Sequence, residues 1–318
     1  MNQKIAIIGA GAAGLLCAKK LSACGFNPLV FDKGANPGGR LSTRRIDGGV
    51  FSHGACSFPD FKNFKGISDF AFDFFHQLES DNKIFFKDGA FQPTNSVSDF
   101  VRSLMQAIQV GSGLELKNID IKNKKLNFED RNRNVITRSY KFLILAIPIS
   151  QTIKLLEGEI PKIGTILAPS SMSLSVTGMY AFVKGQINWK KNFYKNEKID
   201  AVLENSRFKN DQKLDCWTVH SKEPYSMSFE KQNKIQISEI LFTDFINLTG
   251  LNTPEPVYKA GHRWQFGFTK KPFGRPYIIL DEHAIGICGD WCLGPTVLHA
   301  ANSGIKLAER LIDQNILL

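Results

Sequence analysis

The most constraining feature of this chain lies in its first 32 residues. Lys4–Ile8 is a short apolar run rich in β-branched residues, suited to a strand buried on both faces. Gly9-Ala10-Gly11-Ala12-Ala13-Gly14 follows. Leu15–Ala23 then carries a helical pattern, and Gly25 stops it. Pro28–Asp32 reads as a second strand. A glycine hexapeptide alone is a weak signal, because an ordinary strand–helix turn also uses one. Placed after a strand and opening a helix, it is a strong one. Gly9 would make the tight turn, Gly11 would let a pyrophosphate approach the backbone, and Gly14 would let helix and strand pack closely. The helix start offers unpaired N–H groups and a partial positive charge to phosphate. Asp32 stands near the expected place, ~20 residues on, for an acid that accepts from ribose hydroxyls. The stretch reads as a dinucleotide-binding strand–helix–strand unit.

The rest of the chain is less regular. Asn36–Arg40 is turn chemistry, followed by a basic stretch, Arg40–Arg45. Residues 67–79 suggest an amphipathic helix with Phe70, Phe74, Phe75 and Leu78 on one side, an aromatic stripe that reads as core. Ser98–Gln109 is a further helix candidate. Short antiparallel strands are expected from Leu114 to Arg138, a buried strand over Tyr140–Ile147, and a short helix over 151–157. From about 160 to 268 the pattern is β-rich and irregular. Ala284–Cys288 is a last buried strand, and Pro295 opens a final helix to about Ile312. Strand–helix signals thus lie at both ends. They predict an α/β fold in which residues 1–65, 95–158 and 270–318 form a Rossmann-type domain, and residues 66–94 and 159–269 form a second, mixed-sheet substrate domain. One continuous N-terminal domain is the alternative.

Composition narrows the function classes. The 318 residues are 43% hydrophobic and 22% charged, which suits a packed globular protein and excludes collagen-like, coiled-coil or disordered chains. The net charge of +10 favours anionic partners, but no RNA-recognition motif, zinc finger or basic helix accompanies it. Nucleic acid is therefore not an expected partner. The six cysteines, at 17, 24, 56, 216, 288 and 292, show no CxxC pair and no zinc spacing, so no metal is expected and reduced thiols are. No uncharged apolar run reaches the ~18 residues that span a bilayer. A soluble, cytoplasmic protein is the expectation, with its oligomeric state left open.

Two further motifs bear on the dinucleotide. Gly38-Gly39-Arg40 has no role in an ordinary NAD-binding domain. A glycine pair lets the chain lie against a ligand, and Arg40 offers a forked donor to a pyrophosphate. Gly289-Asp290-Trp291 lies between the last strand and the last helix, where a carboxylate could hold a ribityl hydroxyl or simply cap the helix.

Taken together, these motifs resemble the FAD-binding parts of the amine-oxidase-like flavoproteins, and among them the bacterial renalase-like proteins, over nearly the whole chain. Ser42–Phe58 resembles that family's TRR and HGA segment, Leu145–Leu156 its LAxPxxQxxxLL segment, and Asn205–Ser228 its NSS and WVxH segment. His262-Arg263-Trp264 and Gly289–Cys292 match its HRW and GDWC segments. Departures occur at Ser52, Cys56 and Leu298-His299, and a glycine-methionine signature before Ser98 is missing. The resemblance implies a p-hydroxybenzoate hydroxylase-like fold with FAD as cofactor. The expected cofactor contacts are Gly9, Gly11, Gly14, Asp32, Lys33, Gly39, Arg40, Gly289, Asp290, Val297 and Leu298. It also implies oxidation of 2- or 6-dihydro isomers of NAD(P)H to NAD(P)+, with O2 reduced to H2O2.

Such a reaction asks little of side chains, because the cofactor carries it. The candidate substrate pocket is His53, His220, His262, Trp264 and Trp291, with Trp217 a further aromatic wall. For each the simpler reading is a hydrogen-bonded structural histidine or a packed tryptophan. Arg263 suits a substrate phosphate or a surface acid equally. Cys292 and His299 lie near the expected flavin, where a neutral pocket role is the default and a covalent bond the alternative. A flavin amine oxidase or desaturase, and a non-catalytic FAD-holding protein, remain as competing functions.

Overall fold

The computed structural model describes residues 4–187, 196–205, 213–250 and 254–314. A six-stranded sheet runs in the order 278–280, 285–287, 142–145, 5–8, 29–32, 109–112. All neighbours are parallel except the outer pair, Ile278–Leu280 with Ile285–Ile287. The four residues Ile5–Ile8 are all buried, as continuous apolar strands between covering helices must be. The helix Ala12–Ala23 connects the first strand to Leu29–Asp32 and packs against the last helix, Val297–Asp313. That contact is close. A Cβ on Gly304 would lie 2.1 Å from the Ala13 carbonyl oxygen, so only glycine allows this approach. The two chain ends thereby share one layer.

Two expected elements differ. Ser98–Gln109 is a helix only over Val97–Met105, and Gln109–Ser112 pairs as an edge strand with Leu29–Asp32. The β-rich middle also contains the helix Lys234–Thr249. A capping box of Asn233 with Gln236 starts it, and left-handed Gly250 ends it. Residues 206–212 of the Asn205–Ser228 stretch lie outside the described residues.

The second main sheet is antiparallel, in the order 199–204, 214–221, 171–183, 258–271. Alternation divides its faces. Val176, Tyr180, Phe182, Trp217 and Val219 pack under Phe245 of the 234–249 helix. Met179, Ala181 and Cys216 point the other way, onto Phe51 of the hairpin Thr43–Ile46 and Gly49–Ser52. The expected division puts 66–94 with the substrate part. Their apolar side chains instead share a core with the nucleotide-side helices: Ala71, Phe75, Leu78, Ile84 and Phe91 pack with Phe58, Phe61 and Phe100. Burying each large side chain contributes ~1.5–3 kcal/mol, which draws the aromatic stripe to that core. Among the described residues no helix is long and apolar enough to cross a membrane.

Candidate functional site

The glycine loop leaves the first strand at Gly9, whose φ of +104° suits glycine alone. A side chain there would meet the Ala146 carbonyl at 2.4 Å, and one on Gly14 would meet the Gly9 carbonyl at 2.0 Å. Gly11 is different: a Cβ on it would meet nothing within 4 Å. It is the N-cap of the 12–23 helix, with no side-chain cap, so the first-turn N–H groups are left without a side-chain partner there. Asp32 ends the second strand. Its two carboxylate oxygens accept from the Ala10 and Gly34 N–H groups, each at 2.7 Å. Each oxygen keeps a further lone pair for a ribose hydroxyl. Gly39 lies over this loop, while Lys33 is exposed beside it. The open cradle and the acid are what the AMP half of a dinucleotide requires.

Arg40 and Asp290 are joined to each other. The guanidinium donates to both carboxylate oxygens, with Nη1 to Oδ2 at 2.9 Å, and Thr269 Oγ1 donates to Oδ2 at 2.7 Å. The reason is burial. Asp290 is 5% exposed, and an unpaired carboxylate there would be costly. Its neighbour Gly289 donates to Ser303 Oγ. Val297 and Leu298 begin the last helix, but their side chains are core, leaving only backbone N–H groups to face a ligand. His299 bonds Thr296 Oγ1 at 2.8 Å, and its ring meets Phe64 edge-on. Burial pushes the Cys292 thiol far above its ordinary range, so it is no thiolate nucleophile.

The four-stranded sheet and the hairpin build a second cluster. His262, Thr177 and His220 lie side by side across three strands. His53, just after the hairpin, brings its ring within 4.9 Å of His262 and stacks on Trp264 at 5.4 Å. The Trp264 indole donates to the His53 carbonyl at 3.0 Å. Burial holds all three imidazolium forms down. His53 falls to about 3, with His262, Arg44 and His220 adding to the effect. His262 falls to about 4, with Arg44 and Lys234 contributing. His220 falls to about 4 against the opposing charge of Asp200. At neutral pH each is therefore a neutral ring with one donor and one acceptor nitrogen. Ser52 Oγ, His53 Nδ1, His220 Nε2 and His262 Nδ1 are buried with no hydrogen-bond partner among the described residues. Such atoms are rare in a finished interior and cluster where a ligand completes the bonding.

Three sequence candidates do not join this cluster. Trp291 is 0% exposed; its indole donates to the Ile147 carbonyl at 3.0 Å and packs against Phe273. Trp217 lies on the opposite sheet face, 6.2 Å from Phe245. Arg263, between His262 and Trp264, also faces away and donates to the Glu230 and Gln232 carbonyls, neither a phosphate nor an acid. Three residues that sequence reasoning passed over do contribute. Thr177 holds the His220 Nδ1 at 3.4 Å. Asn205 accepts from the Ser52 N–H at 2.8 Å and donates to Thr218, fixing the start of the His53 segment. Arg44 puts a charge beside His53 and His262. Asn205, the first residue of a family-like segment, and Arg44, inside the TRR segment, carried a sequence signal; Thr177 carried none.

Among the described residues no group of His, Cys, Asp or Glu could hold a metal ion, and none of the six cysteines is in a disulfide. A family model described as an NAD(P)-binding Rossmann-like domain matches residues 7–75. Over 45 residues the chain is 44% identical to lysine-specific histone demethylase 1 homolog 1 of Arabidopsis thaliana. Over 51 residues it is 41% identical to a 4,4'-diapophytoene desaturase of Staphylococcus aureus. These stretches cover 14% and 16% of this chain and only 5% and 10% of those proteins. The whole chain superposes on cyclohexylamine oxidase from Brevibacterium oxydans with a TM-score of 0.69, at 11% identity, covering 99% of this chain and 100% of that one. The fold is thus that of the flavin amine oxidase-like structures: a Rossmann-type nucleotide-binding part with a further sheet part.

Proposed function

We propose that this chain is an FAD-dependent oxidoreductase that oxidises a 2- or 6-dihydro isomer of NAD(P)H to NAD(P)+, with O2 as acceptor and H2O2 as product. A reducing cytoplasm suits six cysteines that form no disulfide. FAD fits the residues present. The 9–14 backbone and Asp32 would hold its AMP half; Arg40 and Asp290, paired here, and the backbone at Val297 and Leu298 would line its path towards the sheet. When bound, FAD accepts two electrons from the substrate and delivers them to O2.

The observation that carries the substrate reading is the histidine cluster: three neutral imidazoles and Trp264, with unpartnered buried atoms and an arginine close by. Loss of hydride from a dihydropyridine leaves an aromatic pyridinium, and no proton need leave carbon. Imidazoles at about 3 to 4 are poor bases at neutral pH, so this pocket is matched to chemistry without one. Their donors and acceptors suit a carboxamide. Trp264 offers a flat wall to a ring, and burial keeps water from it. Arg44 and Lys234 disfavour an ammonium substrate.

The test is H2O2 release by purified, yellow protein supplied in turn with each dihydro isomer, with β-NADH and with primary amines. The reading expects turnover with 2- or 6-dihydro-NAD(P) and the release of FAD on denaturation. Turnover with an amine alone would replace it by an amine oxidase. Retained FAD with no O2 consumption would leave a non-catalytic flavoprotein.

A further inference from the structure

Arg44 is a half-buried cation without an acidic partner. Its register partner across the hairpin is Phe51, whose ring stacks on Tyr258 at 5.5 Å. Arg44 Nη1 donates to the Tyr258 hydroxyl at 3.2 Å. A guanidinium has five N–H donors, and no carboxylate lies within ion-pair distance of Arg44 among the described residues. Tyr258 shares a strand and a face with His262, which places Arg44 at the 258–262 end of the histidine row. That strand is the edge of its sheet. Lys234, the first residue of the 234–249 helix, lies on the other face of that strand: its carbonyl lies 2.3 Å from where a Gly261 Cβ would be, on the side to which Arg263 points. Arg263 holds the segment before that helix in place through the Glu230 and Gln232 carbonyls. The opposite end of the row, at His220, faces Asp200. The Arg44 end of the row is therefore its cationic end, and the unpartnered His53 and His262 nitrogens lie there.

We infer that Arg44 is a phosphate subsite of the histidine pocket, and that the pocket takes a phosphorylated nucleotide and not a free nicotinamide ring or its riboside. This rests on the reading of the pocket as a nicotinamide site. The forked guanidinium suits a phosphate, whether that of a mononucleotide or the diphosphate of a dinucleotide.

The test is calorimetric titration of FAD-loaded protein with nicotinamide mononucleotide, nicotinamide riboside and inorganic pyrophosphate. The mononucleotide should bind the wild type about tenfold tighter than the riboside, the range of one charge-assisted contact. In Arg44→Met the ratio should fall to near one, and in Arg44→Lys part of it should return. Lys234→Ala, on the other face of the sheet, should leave it unchanged. Pyrophosphate should compete with the mononucleotide in the wild type and not in Arg44→Met. FAD content and melting temperature report whether Arg44→Met has folded; if it has not, Arg44→Lys carries the comparison, with Lys234→Ala as its control. Equal binding of mononucleotide and riboside to the wild type, or an unchanged ratio in the Arg44 variants, overturns the subsite and leaves the nicotinamide reading standing. Arg44-dependent binding of pyrophosphate with no binding of either nicotinamide compound keeps the subsite and overturns that reading.

Discussion

At the scale of single residues, alternation along a strand decides who meets a ligand. His262 and Trp264 face the pocket, and Arg263 between them faces away. A histidine-arginine-tryptophan run contains that division, provided its strand is known to have one covered face. Arg40 and Asp290 were less legible. They lie at opposite ends of the sequence, and nothing in either motif says that the two charges meet. Asp32 was legible because its spacing from the glycines is a property of one local unit. Replacing Asp32 by Ala removes two backbone contacts and the carboxylate proposed to hold the ribose, so FAD affinity should fall by one or two charge-assisted bonds, each ~1.5–3 kcal/mol. Titration of apo-protein with FAD checks this, and unchanged affinity would exclude Asp32 from the cofactor. His262→Ala and Trp264→Phe should slow flavin reduction about tenfold or more while FAD stays bound, since misplacement of a reacting ring loses the proximity advantage. Anaerobic reduction rates set against flavin content separate the two effects.

Elements with a regular period could be read from the chain, and those held by tertiary contact could not. The first strand, the glycine loop and the two helices that pack together follow from periodicity and caps. The 234–249 helix did not, because its Ile and Phe residues occupy several faces and imitate a strand-rich stretch. Its capping box and terminal glycine were the available signal. Gln109–Ser112 becomes a strand only because an edge of the nucleotide sheet is open to it. Two glycines make the element-scale prediction. Gly304→Ala would push a methyl group into the Ala13 carbonyl, forcing the two helices apart, and should cost about 1–3 kcal/mol of stability. Gly11→Ala has open space around it and should leave the apo-protein's melting temperature unchanged while weakening FAD binding. Thermal melts with and without FAD distinguish these outcomes; equal destabilisation of both apo-proteins would contradict the assignment.

For the whole molecule, the glycine loop and the histidine row belong to different sheets, brought together by the hairpin at 43–52 and the Arg40–Asp290 bridge. The resemblance of several ordered segments made this assembly legible, whereas composition alone did not. The buried histidines also set a pH dependence. Their folded-state values, about 3 to 4, lie below the ~6.5 of an unfolded histidine. Below ~6.5 the unfolded chain binds protons that the folded one refuses, so stability is full above that pH and is lost as pH falls towards 4. Each histidine contributes up to ~1.4 kcal/mol per pH unit in that window. Urea unfolding at about pH 7.5, 6.5 and 5.5, where carboxylates remain ionised, should show the fall, and His220→Gln should flatten it. A flat profile in the wild type would mean that these rings take up protons in the folded protein as readily as in the unfolded one.

The central claim concerns which ring position gives up hydride. Stopped-flow mixing of the oxidised, FAD-loaded protein under argon with 2-dihydro-NAD(P), 6-dihydro-NAD(P), β-NADH and primary amines, followed at the flavin band, tests it directly. A pocket that holds the ring for C2 or C6 leaves C4 misplaced, and the lost alignment amounts to several kcal/mol of barrier. The account predicts rapid bleaching by a 2- or 6-dihydro isomer and slow bleaching by β-NADH. Rapid bleaching by an amine, with none by any dihydropyridine, would contradict it.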